Sequence, residues 1–261
     1  MIRIAALYAV IVLSAFPSAL VRHAAARTAE PFVQERMELR AETADGRVWW
    51  VPTPRREIAL TFDDGPYPFY TPLLLHALDS EHVPATFFLV GRSVQAYPEL
   101  ALRILASGDE IGNHTLNHYK LTGLNDMQIA SQIADCGSLL ESYANKPITL
   151  FRPPHGRYNA RVLNIAQRLG YRTILWSDAP DDAPEILGKS PLPPAEIARR
   201  VLTRAQPGGI VLMHSGQLNT VLAIPEIVDS LRAKGYRFVT VSELLRADGD
   251  DAAGGAAPAT R

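Results

Sequence analysis

The sequence predicts an α/β fold built on a parallel sheet, either open or closed into a barrel. Strand-like apolar runs alternate with helical runs along most of the chain, the pattern of strand–helix–strand units. The chain has 261 residues, of which 47% are hydrophobic, so a substantial core is expected. Its single cysteine, Cys136, cannot form an intrachain disulfide, so packing must hold the fold together.

Seven runs are predicted to be strands because they are short and rich in β-branched, aromatic and other apolar residues. Nearly continuous apolar runs are typical of strands covered on both faces, as in parallel sheets. In chain order the runs are IALTF, ATFFLV, DEIGN, ITLF, YRTILWS, GIVLM and YRFVTV.

Six helical runs lie between most of these strands. Gly108, Gly170 and Gly235 each follow a helical run and suit a helix C-terminal cap. Cys136 lies at helical spacing from Ile129 on an apolar face, which predicts a buried thiol. The predicted helices span 71–80, 98–107, 126–143, 160–169, 195–205 and 224–234.

The two ends of the chain differ in composition from the alternating region. Residues 1–26 combine one early arginine, an apolar run and a small-residue AAA segment, which predicts a signal peptide or, if uncleaved, an N-terminal membrane anchor. Residues 27–56 are predicted to be an extension with a short hairpin at Asp45 and Gly46. Residues 247–261 lack apolar anchors and are predicted to be disordered.

Charge and export limit the classes of partner. The net charge is −1, which gives no electrostatic reason for nucleic acid binding. The N-terminal segment predicts a periplasmic or secreted protein, with membrane contact only through that segment if it is retained. We expect a monomer.

Polar and charged residues occur at the carboxyl ends of five predicted strands. Parallel α/β barrels build their active sites at this end, so the five segments are expected to converge on one mouth. In chain order the residues are Asp63 and Asp64, His114 and His118, Arg152, Asp178 with Asp181 and Asp182, and His214.

The adjacent carboxylates of Asp63 and Asp64 repel each other, so either water screens them in a plain turn or a cation lies nearby. His114 and His118 are four residues apart in HTLNH, which lacks the glutamate of the zinc-protease signature. Two imidazoles and one carboxylate form a three-ligand catalytic metal site that leaves one position open. One acid can therefore bind a metal that activates water, while the other faces that water. A haloacid-dehalogenase phosphatase is rejected, because its two aspartates are separated by one residue.

Five motifs together resemble a known family. TFDDGP, HTLNH, RPPHGRYN, WSDAPDD and IVLMH occur in the order of the motifs of polysaccharide deacetylases, the NodB-homology family or carbohydrate esterase family 4. The resemblance extends over about residues 57–245 and identifies 57–246 as the catalytic domain. It implies a distorted (β/α) barrel of about seven parallel strands, a divalent metal, and hydrolysis of acetyl groups on sugar polymers.

The resemblance also implies roles for individual residues. Arg152 would hold the base carboxylate, and its positive charge favours the ionised form that a base needs. A backbone N–H at His155 would stabilise the oxyanion, because Pro153 and Pro154 have none. The implied catalytic residues are Asp63 as base, Arg152, His214 as general acid and Asp181 as its partner; the metal ligands are Asp64, His114 and His118; the substrate-binding residues are Pro154, His155, Gly156 and Leu212.

The fourth motif departs from the family pattern D-x-x-D-W. Asp178 and Asp181 fit its two acids, and Asp182 then stands where tryptophan is expected. Asp181 is expected to orient His214, with Asp178 as the alternative, and Asp182 is expected to face solvent. The missing tryptophan predicts a more open or more polar acetyl pocket, closed by Trp176, Leu212 or a residue of 183–194.

The predicted function is metal-dependent removal of N-acetyl groups from polysaccharide containing N-acetylglucosamine, such as peptidoglycan, chitin oligomers or exopolysaccharide. The metal is expected to be Zn²⁺, although Co²⁺ or another divalent ion would fit the same donors. Two alternatives stay open at this point: an O-acetyl ester hydrolase acting on a polysaccharide, and a catalytically weak carbohydrate-binding protein of the same fold.

Overall fold

The computed structural model describes residues 46–183 and 190–246. The predicted signal or anchor segment, most of the N-terminal extension and the predicted tail lie outside these residues. The strands are β1 (Arg47–Val48), β2 (Glu57–Asp63), β3 (Thr86–Leu89), β4 (Glu110–Asn113), β5 (Leu150–Phe151), β6 (Arg172–Ile174), β7 (Gly209–His214) and β8 (Arg237–Phe238). The α-helices are α1 (Tyr70–Ser80), α2 (Gly91–Ala96), α3 (Pro98–Ala106), α4 (Asp126–Ala144), α5 (Ala160–Arg168), α6 (Pro194–Arg204) and α7 (Leu218–Ala233).

The strands form one parallel sheet in the order β1-β6-β5-β4-β3-β2-β7, and β8 pairs with the start of β2. Single bridges from Trp50 to Gly209 and from Asp178 to Val211 join the β1–β6 side of the sheet to β7. These bridges curl the sheet into the distorted (β/α) barrel that the sequence predicts, so the fold class is confirmed. Because all strands run in parallel, their carboxyl ends open on one mouth.

The two faces of strand β2 have different roles: one packs in the core between the sheet and the helices, and the other faces the inside of the barrel. Successive side chains of a strand point to opposite faces. Ile58, Leu60 and Phe62 belong to the larger core cluster, which lies between the sheet and the helices. Ala59 belongs to a smaller cluster inside the barrel, and Asp63 ends the strand on that inner face. A fully buried strand therefore delivers one carboxylate to the barrel mouth.

The seven predicted strands and six predicted helices are all present within one to six residues of their predicted bounds. Strand β1 and helix α2 were not predicted, because two and six residues carry too little pattern to detect. Helix α7 begins six residues earlier than predicted and contains Pro225, because burial of residues such as Thr220, Ile224 and Ile227 stabilises it. Cys136 is fully buried, as predicted.

The predicted hairpin at Asp45 and Gly46 lies partly outside the described residues. Its described part forms β1, which pairs in parallel with β6 through Arg47 and Val48. Among the residues described, no helix is long and apolar enough to cross a bilayer.

Candidate active site

The two adjacent acids occupy the end of β2, at the barrel mouth. Asp63 is 5% exposed, whereas Asp64 follows the strand with φ at 72°. This left-handed backbone lets both carboxylates face the same side, although neighbouring strand residues normally point in opposite directions. Oδ2 of Asp63 lies 3.7 Å from Nε2 of His114, and Oδ1 of Asp64 lies 3.8 Å from the same nitrogen.

Arg152 supplies a positive charge to Asp63. Its Nη1 donates to Oδ1 of Asp63 at 2.7 Å and to Oγ1 of Thr61 at 2.8 Å. The remaining donors reach the carbonyls of Ile174 and Leu175, so the fully buried guanidinium is held by four hydrogen bonds. Burial lowers the pKa of Arg152, and the charge of Asp63 opposes that change. Asp63 and Arg152 therefore form a buried, ordered ion pair.

Asp64, His114 and His118 place one ligand atom each within 4.8 Å of one another. Nε2 of His118 lies 3.2 Å from Oδ1 of Asp64. One carboxylate oxygen and two imidazole nitrogens fit a divalent metal ion with an open position for water or substrate. The predicted ligand set is therefore brought together by the fold.

The surroundings of His114 and His118 favour the neutral imidazole, which is the form that binds a metal. Nδ1 of His114 lies 2.8 Å from the carbonyl of Arg152. Because a carbonyl can only accept, Nδ1 carries the proton and Nε2 presents its lone pair to the cluster. Burial lowers the pKa of His114, and burial followed by the neighbouring His155 lowers the pKa of His118 to about 4.

The turn of the third motif borders the metal cluster. The ring of His155 lies edge-on to that of His118, with 4.6 Å between centroids. His155 has φ at 60°, and its backbone N–H has no acceptor within the part of the chain that the structure describes. A Cβ on Gly156 would lie 2.6 Å from Trp176, so only glycine allows the turn to pack this closely on that ring. Pro154, the first residue of the turn, is buried.

His214 ends β7, beside the end of β2. Its Nδ1 lies 2.8 Å from Oδ1 of Asp182, so Nδ1 donates and Nε2 is left to act in the mouth. The backbone N–H of His214 donates to Oδ2 of Asp182 at 2.8 Å, and Oγ1 of Thr220 donates to the same oxygen at 2.6 Å. Burial alone lowers the pKa of His214, but the charge and hydrogen bond of Asp182 outweigh it and raise the pKa to about 9.

The expectation that Asp181 contacts His214 is wrong. Asp181 is exposed, has φ at 56°, and its Oδ2 accepts from Nη1 of Arg200 at 3.1 Å. The expectation that Asp182 faces solvent is also wrong, because Asp182 is 3% exposed. The left-handed residue Asp181 turns the chain so that the next side chain, not its own, enters the barrel.

Asp178, the alternative partner, does not contact His214 either. It is 3% exposed, and both carboxylate oxygens lack a hydrogen-bond partner within the described residues. Nη1 of Arg204 lies 3.7 Å from Oδ1, and burial raises the pKa of Asp178 to about 7. Asp178 supports the strand edge through its backbone carbonyl, which accepts from the N–H of Leu212.

Leu212 and Trp176 line the region between the acid and the turn. Leu212 is 7% exposed and lies two residues before His214, so it shares the inner face of β7. Trp176 packs against Gly156 and lies 5.8 Å from the guanidinium carbon of Arg152. Both therefore border the site, and residues 184–189 of the predicted closing loop lie outside the described residues.

The chain matches a sequence profile described as polysaccharide deacetylase over residues 51–174. It is 43% identical over 201 residues to a peptidoglycan-N-acetylglucosamine deacetylase of Bacillus cereus, covering 76% of this chain and 92% of that protein. The chain belongs to the polysaccharide deacetylase family. A chitooligosaccharide deacetylase of Azorhizobium caulinodans is 31% identical over 196 residues, covering 69% of this chain and 90% of that protein.

Solved structures of this polysaccharide deacetylase family share the fold. A peptidoglycan N-acetylglucosamine deacetylase in complex with a substituted benzamide superposes with a TM-score of 0.72 and 32% identity, covering 76% of this chain and 92% of that one. A pseudoenzyme of carbohydrate esterase family 4 from Bacillus anthracis also gives a TM-score of 0.72, at 28% identity, covering 78% of this chain and 70% of that one. Relatives of similar fold thus include a deacetylase and a pseudoenzyme.

Family membership and geometry together realign the fourth motif. When Asp182 is taken as the second acid of D-x-x-D-W, the first acid falls on Ala179 and the tryptophan on Ala183. Ala183 is 8% exposed, so the position is buried but filled by a methyl group. The sequence favoured the register of Asp181, because that register also places an acid at Asp178, and only the contact of Asp182 with His214 overturns it. Thr220 was missed because it lies 38 residues from Asp182 in the sequence.

Proposed function

We propose that this protein is a metal-dependent hydrolase that removes N-acetyl groups from N-acetylglucosamine units of a polysaccharide. Peptidoglycan, chitin oligomers and exopolysaccharide all contain this acetamide. The observation that carries the proposal is that a candidate general base and a candidate general acid both lie beside one metal-binding cluster. Asp63 is ion-paired with Arg152, which favours a base, and His214 is hydrogen-bonded to Asp182, which favours an acid.

The donors support zinc as the metal, held by Asp64, His114 and His118, and Co²⁺ would also be accepted. When bound, a divalent ion supplies a Lewis acid that polarises the acetyl carbonyl and makes water a stronger nucleophile. The lone pairs on the two neutral imidazoles suit them as ligands of this ion.

The chain's own groups account for the proton movements. Asp63 accepts a proton from the attacking water while the water oxygen forms a bond to the acetyl carbon. The backbone N–H of His155 donates to the oxyanion that develops on the carbonyl. Nε2 of His214 then gives its proton to the sugar nitrogen as the C–N bond breaks, and acetate and a free amine leave. A pKa of about 9 keeps His214 protonated for this step at neutral pH.

Leu212, Pro154 and Gly156 are proposed to shape the substrate pocket together with the backbone of His155. The methyl group of Ala183, at the position of the family tryptophan, supports a wider acetyl pocket. Asp181 is not part of this proposal, since its carboxylate pairs with Arg200 at the surface. The N-terminal composition supports export to the periplasm or the exterior, and a monomer is proposed.

An intact set of base, acid and ligands favours turnover over simple carbohydrate binding, because binding needs neither a prepared base nor a prepared acid. The strongly supported acid favours amide over ester hydrolysis, since an amine leaving group requires protonation. The test is acetate release from a panel of N-acetylated and O-acetylated glycans, before and after metal removal with a chelator and re-addition of Zn²⁺. Release from N-acetylated glycans that depends on metal is expected. Release only from O-acetylated glycans, or none with metal restored, would contradict the proposal.

A further inference from the structure

Three aromatic side chains, Tyr67, Phe69 and Tyr70, lie together on the loop that leads from β2 into α1; we refer to them as the aromatic rim. The loop follows Asp64 directly, so the rim is at the carboxyl end of the strands. The N–H of Tyr67 donates to Oγ1 of Thr71 at 2.8 Å, and the N–H of Thr71 donates to the carbonyl of Tyr67 at 3.0 Å. These reciprocal bonds hold the loop in one conformation.

The inner end of the rim forms part of the active-site wall. A Cβ on Gly216, two residues after His214, would lie 2.8 Å from Cε2 of Tyr67, so the ring packs directly on the backbone there. Burial, followed by the charge of Asp64, raises the pKa of Tyr67 to about 12, so its hydroxyl stays protonated.

The rim continues outward to an exposed ring. Tyr70 lies edge-to-face with Tyr67, at 6.5 Å between centroids and 88° between planes. Phe69 lies edge-to-face with Tyr70 at 5.1 Å and 89°. Phe69 is 64% exposed, so the series ends in a large apolar surface open to solvent. A single exposed apolar residue needs no explanation, but three contiguous rings leading from a reaction centre mark a ligand surface.

We propose that the aromatic rim is a carbohydrate subsite that holds sugar units adjacent to the one that loses its acetyl group. This inference rests on the proposed function, because it takes the substrate to be a polymer. Sugar rings present faces of C–H groups with partial positive charge, which complement the negative face of an aromatic ring. Rigid aromatic rings on a fixed loop lose little entropy when they bind. We expect an oligomer to extend along the rim to Phe69 and a disaccharide to end before it.

The test uses Phe69→Ala, because this ring is the most exposed of the three and its removal leaves no internal cavity. We expect KM for an N-acetylglucosamine hexamer to rise about 3- to 10-fold, the effect of losing one aromatic contact, while KM for the disaccharide stays unchanged. Phe69→Trp should keep the wild-type values. Leu169→Ala removes a side chain that is 40% exposed after the end of α5, at the opposite end of the barrel, and should change neither.

A binding measurement separates this inference from the proposed function. The full chain with Asp63→Asn, and the same chain with Phe69→Ala added, are titrated with the hexamer. The added substitution should weaken binding about 3- to 10-fold. Equal dissociation constants, an equal rise in KM for the disaccharide, or no binding by either chain would overturn the subsite. Failure of the wild-type chain to release acetate, with the difference in binding intact, would overturn only the proposed function.

Discussion

Replacing Asp182 by asparagine tests whether this carboxylate keeps His214 protonated. The asparagine amide oxygen can still accept from Nδ1 while the negative charge is lost, although its amide nitrogen cannot replace Oδ2 as the acceptor of the backbone N–H of His214. With a pKa of about 9, about 90% of His214 is protonated at pH 8. Without Asp182 the pKa should fall to 6.5 or below, because burial alone lowers it. About 3% would then be protonated at pH 8, so we expect kcat to fall at least ~30-fold.

The assay is a pH–rate profile of acetate release from an N-acetylglucosamine oligomer with metal present. The alkaline limb of the wild-type profile should lie near pH 9 and should move down to about pH 6.5 or below in Asp182→Asn. Asp181→Asn is the matched control: it removes the neighbouring carboxylate, which is exposed and paired with Arg200, and should leave the limb in place. An alkaline limb that stays in place in Asp182→Asn, or that moves equally in Asp181→Asn, would refute the reasoning.

The same pair should contribute to stability in a pH-dependent way. The folded-state pKa of His214 is raised above its unfolded value, so the contribution is complete below about pH 6.5 and is lost as pH rises through about 9. A shift of this size corresponds to about 3–4 kcal/mol at most. Asp182→Asn should therefore lower the free energy of unfolding more at pH 6 than at pH 10, and an equal loss at both pH values would contradict the charge-based account.

Three further outcomes are expected. Asp63→Asn should abolish turnover with Zn²⁺ affinity retained in a calorimetric titration, whereas Asp64→Asn should weaken that affinity; equal losses would show that both carboxylates bind the metal. Asp178→Asn should raise Tm by a few degrees at pH 8 and leave activity unchanged. Burial raises the pKa of Asp178 to about 7, so the folded state loses stability as this carboxyl group ionises. A larger rise in Tm at pH 5 than at pH 8 would contradict this account. Thr220→Val should reduce kcat several-fold with KM unchanged, since Oδ2 of Asp182 loses a donor, and Thr220→Ser should restore it; loss in both variants would indicate a packing defect.

The fold was accessible from the sequence because buried parallel strands are nearly continuous apolar runs, and IALTF and GIVLM are clear examples. The convergence of parallel strand ends predicted that an acid of the first motif would lie beside His114 and His118. The choice of Asp64 over Asp63 came from the family resemblance.

The remainder depends on features that pattern does not encode. Which of Asp181 and Asp182 enters the barrel is decided by the left-handed backbone at Asp181, and both residues have the same side chain. Thr220 reaches Asp182 only through the packing of α7, on a helix whose early start was hidden by Pro225. Strand β1 exists only because β6 offers it an edge, so its two residues carry no signal of their own.

The left-handed backbone at Asp64, Thr115, His118 and His155 affects how this protein can be engineered. Residues other than glycine adopt this conformation at an energetic cost of order 1 kcal/mol each, and the surrounding structure has to supply it. Glycine would relieve that cost at Thr115, the one position of the four without a proposed chemical role for its side chain or peptide group. Thr115→Gly would, however, also remove the hydroxyl that accepts from the N–H of His118 at 3.1 Å. Selection for heat resistance alone is therefore expected to loosen the metal-binding loop, and libraries built for stability should hold these positions constant.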